Sequence, residues 1–212
     1  PSYPIHPYGF IIAGASLRHL PAMDEGIFNS DLYLERLENS IKDSVPAPVA
    51  LIVSFPSNPT AQVVSLEFYK ELVKIALKYN VYILSDLAYA EIYYDDFKPP
   101  SILEVSRAKE VAVEFTSMSK TYAMAGWRIG FAVGNTKLIY ALTRIKSYLD
   151  YGAFTPVQVA AASALNGPQS CVEDIRNTYQ RRRDVLITSM ARSGWDIPKP
   201  QASMFAWAPL PE

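Results

Sequence analysis

The sequence predicts an α/β fold in which a mostly parallel sheet carries helices on both faces. Three observations predict it. Short apolar runs rich in valine and isoleucine recur along the chain, stretches of helical periodicity separate them, and the strand-like runs stop after Gly134, where two further helical stretches follow.

Taken in order, the strand-like runs are Phe10 to Ala13, Val49 to Ser54, Val81 to Ser85, Val111 to Phe115 and Ile129 to Val133, continuous enough to read as strands buried on both faces. Leu34, Leu37 and Ile41 recur at helical spacing behind Ser30 or Asp31. Tyr69, Leu72, Val73, Ala76 and Leu77 do so behind a capping Ser65. Beyond Gly134, Leu138, Leu142, Ile145 and Leu149 mark one helix, and Val172, Ile175, Tyr179, Leu186 and Met190 mark a longer one. Pro198 to Pro200 breaks that pattern, and Met204 to Ala208 reads as the start of a strand. The run Arg181 to Arg183 reads as a solvated helix face.

Composition narrows the function. Half of the 212 residues are hydrophobic, 19% are charged and the formal net charge is -1, a globular balance with no electrostatic case for nucleic acid. The single cysteine, Cys171, cannot form an internal disulfide, so a cytoplasmic location is expected. No apolar run approaches the roughly 20 residues of a membrane span, and no charged-then-apolar leader opens the chain, so no membrane partner is expected. Gly126, Gly130 and Gly134 stand at small-xxx-small spacing, but the run around them is short and holds Arg128. His6 and His19 lack any matching cluster at metal-ligand spacing, and no metal is expected.

In an open parallel sheet, ligands bind beyond the carboxyl ends of the strands. The strand ending at Ser54 runs into Phe55-Pro56-Ser57-Asn58-Pro59-Thr60, and the one ending at Ser85 into Asp86-Leu87-Ala88-Tyr89. The strand ending at Phe115 delivers Ser117-Met118-Ser119-Lys120 to the same edge, followed by Gly126-Trp127-Arg128-Ile129-Gly130. Met alone, each residue has a plain reading: Asn58 as a turn residue, Asp86 as a helix cap, Lys120 as a solvated lysine. Together they define a polar edge. Lys120 also stands among Met118, Tyr122, Met124 and Trp127, apolar company whose burial would depress a lysine pKa and make the amine nucleophilic.

With "SNPT" at Ser57 to Thr60, "DLAY" at Asp86 to Tyr89 and "SMSKTYAMAGWRIG" at Ser117 to Gly130, the chain resembles the class I and II aminotransferases of the fold-type I pyridoxal phosphate enzymes. The order of the three elements and the gap from Asp86 to Lys120 agree, and the resemblance extends over essentially the whole chain. It implies pyridoxal 5'-phosphate as cofactor. Lys120 matches the lysine that holds the cofactor as a Schiff base and then shuttles the substrate proton. Asp86 matches the carboxylate that pairs with the pyridine nitrogen and keeps the ring an electron sink. Asn58 and Tyr89 match the donors to the cofactor's phenolic oxygen, and Ser117, Ser119 and Arg128 match phosphate-side positions. Tyr3 falls where the family stacks an aromatic ring on the pyridine, although a tyrosine in this proline-rich loop also suits plain packing. Tyr151-Gly152 lies in a segment that in the family reaches a neighbouring subunit, or equally serves as a connector between helices. The glycines around Arg128 would let the backbone approach closely and turn.

The family's glycine-rich phosphate loop and its substrate-carboxylate arginine do not occur in this sequence. The resemblance therefore implies a large cofactor-binding domain over residues 1–165, incomplete at its start, and a linking helix with the beginning of a smaller α+β domain over 166–212. Alone, this chain is expected to be inactive or nearly so. Within the family, "PSYPIHPYG", "FPSNPTAQ", "DLAYAEIYYD" and "IKSYLDYGAFTPVQVAA" resemble most the bacterial alanine (glutamate-pyruvate) aminotransferases and the related LL-diaminopimelate aminotransferases. An aspartate enzyme would commonly place an arginine near Ser147 to Phe154; none is there, though Arg144 is close. The expected partners are an amino acid, a 2-oxo acid and a second copy of the chain. The rival readings are a ligand-sensing domain of a transcription regulator and a β-elimination lyase, both of which could share these cofactor residues.

Overall fold

Four strands form one sheet in the computed structural model, which describes residues 1–24 and 26–211. The chain begins with α1 (Ile5–Ile12), then β1 (Met23–Asp24) and β2 (Ile27–Phe28), which pair as a small antiparallel ribbon, then α2 (Ser30–Lys42). The sheet follows: β3 (Ala50–Ser54), α3 (Leu66–Tyr79), β4 (Tyr82–Asp86), α4 (Ala108–Val111), β5 (Ala112–Ser117), α5 (Met118–Thr121) and β6 (Gly130–Gly134). Three helices close the order: α6 (Thr136–Leu149), α7 (Thr155–Asn166) and α8 (Ser170–Arg192). The strand order is β3-β4-β5-β6, with the first two pairings parallel and the β5–β6 pairing antiparallel.

Local chemistry fixes the helix starts. The Ser65 hydroxyl accepts from the Phe68 N–H and caps α3, an arrangement worth about 1 kcal/mol. For α2 the cap is Asn29, ahead of both expected positions, Ser30 and Asp31, and its side chain accepts from the Asp31 and Leu32 N–H groups. Both helices pack on one face of the sheet. Tyr33, Leu37, Phe68, Leu72, Val53 and Ile83 anchor that core, and the rings of Phe28, Tyr33, Phe55 and Phe68 stand 5.3–6.1 Å apart.

Several expectations need correction. Phe10 to Ala13 is not a strand: Phe10 to Ile12 finish α1, and Ala13 is its C-cap. Met204 to Ala208 forms no strand; among the described residues the pairing nearby is an isolated bridge from Ala202 to Tyr93. The strands are not buried equally on both faces. In β4, Ile83 and Ser85 are buried towards α2 and α3, while Tyr82, Leu84 and Asp86 alternate with them and are half-buried. On that second side α1 leans over Ile52, Leu84 and Phe115 and leaves a cavity of about 290 Å³. The helix α7 was not anticipated, and the arginine run is not uniformly solvated, because Arg183 is only 5% exposed.

Glycine is required at two of the three expected positions. A Cβ on Gly130 would lie 2.6 Å from the Thr116 carbonyl oxygen, and one on Gly134, at φ +146°, would collide with the Ala112 carbonyl oxygen. The antiparallel β5–β6 pair therefore depends on both. At Gly126 an added Cβ meets nothing, so close approach does not explain that glycine.

Among the described residues no helix is long and apolar enough to cross a membrane. One buried carboxylate makes folding sensitive to pH. Glu114 on β5 is 7% exposed and accepts from the Ser101 hydroxyl and the Ile102 N–H, yet burial still pushes its carboxyl above the ordinary value of 4.5. A raised folded-state value means that its contribution to stability is complete below about pH 4.5 and is lost as pH rises from there through the raised folded-state value. Glu114→Gln has no proton to lose. The melting temperature of the variant relative to the parent should thus climb as pH is raised from about 4.5 to about 7; a constant difference would show that Glu114 titrates alike in both states.

Candidate active site

The parallel pairing sets the site. Ser54 lies opposite Asp86, and Asp86 lies opposite Phe115, so β3, β4 and β5 end side by side. The Leu87 N–H donates to the Phe115 carbonyl and holds the turn after β4 against the end of β5. Asn58 leaves the edge four residues past β3, Asp86 is the last residue of β4, and Lys120 sits on α5, which opens directly after Ser117.

Two of the expected groups are in direct contact. The Asn58 amide donates to the Tyr89 hydroxyl oxygen at 3.4 Å, a long bond that leaves the phenolic proton free to donate elsewhere. Burial pushes the Tyr89 phenol up, the Asn58 bond pulls it down, and the nearby Asp86, Tyr3 and Tyr179 push it up further. Tyr3 itself is 40% exposed and stands edge-on to His6, with ring centroids 5.5 Å apart.

Asp86 is held at both oxygens. Its Oδ1 accepts from the Ala88 N–H at 3.0 Å, which is the helix-cap style of bond expected of an aspartate at a strand end. Its Oδ2 lies 2.8 Å from His6 Nε2. His6 is the functional candidate that sequence reasoning missed: a search for metal-type clusters sets it aside, and its partner is 80 residues away.

The remaining groups are less tightly gathered. Lys120 is half-buried, not enclosed: Met118 beside it turns into the core at 1% exposure, while Trp127 is 52% exposed. The apolar enclosure expected around this amine is therefore only partial. The Ser117 hydroxyl accepts from the Ser119 N–H and caps α5, and both serines are half-buried. Arg128 is exposed, adopts a left-handed backbone (φ 52°, ψ 53°) and donates from Nη1 to the Ala125 carbonyl. A non-glycine residue in that conformation is costly, and such strain concentrates at functional positions. Arg144 stands over the Tyr148 ring on exposed α6, and Tyr151 and Gly152, both at positive φ, form the connector between α6 and α7.

The strand ends thus bring an amide–phenol pair, a carboxylate and a primary amine to one edge of the sheet. The family model described as aminotransferase class I and II matches residues 1–212, and the chain belongs to that family. It is 55% identical over 212 residues to the glutamate-pyruvate aminotransferase AlaC of Escherichia coli, covering 100% of this chain and 50% of that protein. It is 39% identical over 216 residues to the LL-diaminopimelate aminotransferase of Moorella thermoacetica, covering 100% of this chain and 53% of that protein. Among solved structures, substrate-bound BacF from Bacillus subtilis superposes with a TM-score of 0.86 at 32% identity, covering 99% of this chain and 52% of that one. The chain thus spans about half the length of the relatives it matches.

Enzymes of this family use pyridoxal 5'-phosphate, and the donor set here fits it. A carboxylate fixed at a strand end suits a protonated ring nitrogen, an amide–phenol pair suits a phenolate, and two hydroxyls with an arginine suit a phosphate dianion. A primary amine stands on the same edge.

Proposed function

We propose that the full-length protein is a pyridoxal phosphate-dependent aminotransferase that moves the amino group of alanine to 2-oxoglutarate. The observation that carries the reading is the delivery of Asn58, Asp86 and Lys120 to one sheet edge by three adjacent strands. When bound, pyridoxal phosphate supplies the electron sink that allows an amino acid to lose its α proton.

The chain's own residues do the rest. The Lys120 amine would hold the cofactor covalently and, once displaced by substrate, carry the proton away from the α carbon. Asp86, oriented by His6 and the Ala88 N–H, would keep the ring nitrogen protonated. Tyr89 and Asn58 would donate to the phenolic oxygen, Ser117, Ser119 and Arg128 would hold the phosphate, and Tyr3 would cover the ring.

The likeness to glutamate-pyruvate aminotransferase over all of this chain supports alanine as the donor, and the lower identity to the diaminopimelate enzyme makes that substrate the second reading. We assign residues 1–165 to a cofactor-binding domain and 166–212 to a linking helix and part of a smaller one. The end of the sheet at Gly134 and the start of α8 at Ser170 support that division. Exposed Tyr148, Leu149, Tyr151, Phe154 and Val159 on α6, α7 and their connector offer apolar area that a second copy would cover, and the single exposed cysteine suits a cytoplasmic enzyme.

The test is kcat/KM for alanine, aspartate, LL-diaminopimelate and an aromatic amino acid, each with 2-oxoglutarate. Alanine should lead by at least about tenfold, or 1.4 kcal/mol of transition-state binding. The same lead for aspartate would overturn the donor assignment, and release of ammonia and pyruvate without amino transfer would overturn the reaction.

A further inference from the structure

Tyr89 is followed by a short segment that α8 grips at two points. Arg176 and Arg183 are seven residues apart and share a helix face. Arg176 donates to the Glu91 carbonyl and carboxylate and lies 3.9 Å from the centre of the Tyr93 ring. Arg183 makes a forked pair with Asp95 at 2.7 and 3.0 Å and also donates to the Pro200 carbonyl at 3.2 Å. Its guanidinium lies 4.5 Å from the centre of the Tyr94 ring. A guanidinium this buried has its donors committed to fixed partners, which suits it to hold backbone in place.

Arg183 binds both sides of a small bridge. Ile92 to Asp95 runs against Pro200 to Ser203: the Tyr94 N–H donates to the Gln201 carbonyl, the Ser203 N–H to the Ile92 carbonyl, and the Tyr94 hydroxyl to the Ser203 carbonyl. Asp95 and Asp96 both sit at positive φ, a turn that non-glycine residues keep only when something holds it. Two residues past Ser203, the Phe205 ring packs edge-on against Tyr89 at 5.5 Å. The phenol is therefore fixed from two sides, by Asn58 at its hydroxyl and by Phe205 on its ring.

We infer that Arg183 is a positioning residue for Tyr89, acting through the Asp95–Pro200 clamp and the Phe205 ring that the clamp places against the phenol. The inference rests on the proposed role of Tyr89 at the cofactor's phenolic oxygen. It assigns the segment after α8 a part in tuning the cofactor, because a hydrogen bond to a phenolate works only while its donor is correctly aimed.

The experiment uses the full-length holoenzyme with Arg183→Lys, Phe205→Leu and, as reference, Tyr89→Phe. Arg183→Lys keeps the charge but loses the fork and the flat stack on Tyr94. Phe205→Leu keeps the fold of the clamp and removes only the ring contact. The first readout is the pH at which the visible band of the bound cofactor changes. The second, made without cofactor, is the ¹⁹F resonance of 3-fluorotyrosine placed at position 89.

Loss of a donor to the phenolic oxygen concentrates negative charge there, so Tyr89→Phe should raise the transition pH. Arg183→Lys and Phe205→Leu should each raise it too, add nothing further in the Tyr89→Phe background, and shift or broaden the fluorine line. Folded variants in which both the fluorine line and the transition stay where they are in the parent would overturn the clamp. A transition unmoved by Tyr89→Phe, with a fluorine line that does respond to Arg183→Lys, would instead overturn the cofactor role of Tyr89 and leave the clamp supported.

Discussion

Replacing Lys120 by alanine in the full-length protein is expected to abolish the covalent cofactor adduct and to lower kcat by at least about 10³-fold. A positioned general base alone contributes roughly 10²–10⁴-fold, and this residue would supply both the covalent anchor and the base. A 10³-fold loss is about 4 kcal/mol of barrier. The fold should survive the change, because none of the ion pairs among the described residues includes Lys120 and the side chain is only half-buried. Lys120→Arg should be as inactive, since a guanidinium stays protonated and cannot attack a carbonyl. Borohydride reduction followed by peptide mass mapping checks the adduct, circular dichroism checks the fold, and stopped assays give kcat. An adduct retained in Lys120→Ala, or found on another lysine of the parent, would remove Lys120 from the mechanism.

The sheet and the residues at its strand ends were legible because their signals are local. Val49 to Ser54, Val81 to Ser85 and Val111 to Phe115 are apolar runs of strand length, each followed by residues that stop a strand, and the structure shifts their bounds by no more than two residues. The Ser65 cap was legible for the same reason. Phe10 to Ala13 failed because four apolar residues fit a helix turn as well as a strand, and Tyr3-Pro4 before them starts a helix. Met204 to Ala208 had the composition of a strand but finds no partner to pair with. The helix α7 hid in a run of alanines that gives little contrast between faces, although Pro156 in its first turn marked the start.

What the sequence could not show was pairing over long separations. His6 with Asp86, Arg183 with Asp95 and Phe205 with Tyr89 each join residues that no spacing rule connects. The arginine run illustrates the difference. Three consecutive arginines on a helix point in three directions, and only the one aimed at Asp95 is buried, so composition alone reads all three as solvated. The enclosure expected around Lys120 is incomplete for a similar reason, because Met118 and Trp127 flank it in sequence but only Met118 is buried.

Asp86→Asn is expected to cost nearly as much as loss of the lysine, and for a reason that can be separated from folding. The amide keeps an oxygen for the Ala88 N–H and a polar group for His6, so the geometry of the strand end is preserved while the negative charge is lost. Paired with a nearby positive charge in a partly buried site, a carboxylate is worth about 4 kcal/mol, and its loss would leave the cofactor ring a poorer electron sink. Because a ring nitrogen left without its proton would accept the developing charge less readily, the loss should fall on kcat, by about 10³-fold, with a smaller change in KM. His6→Asn should show a weaker version of the same effect. It retains the Asp86 charge and gives up only a hydrogen bond that fixes its direction, a contribution of about 1.5–3 kcal/mol at most. The order Asp86→Asn, then His6→Asn, then parent in kcat is therefore the expected result of a three-enzyme comparison with alanine and 2-oxoglutarate. An Asp86→Asn enzyme within tenfold of the parent would mean that this carboxylate serves only as the cap for Ala88, and the electron-sink role would have to be assigned elsewhere.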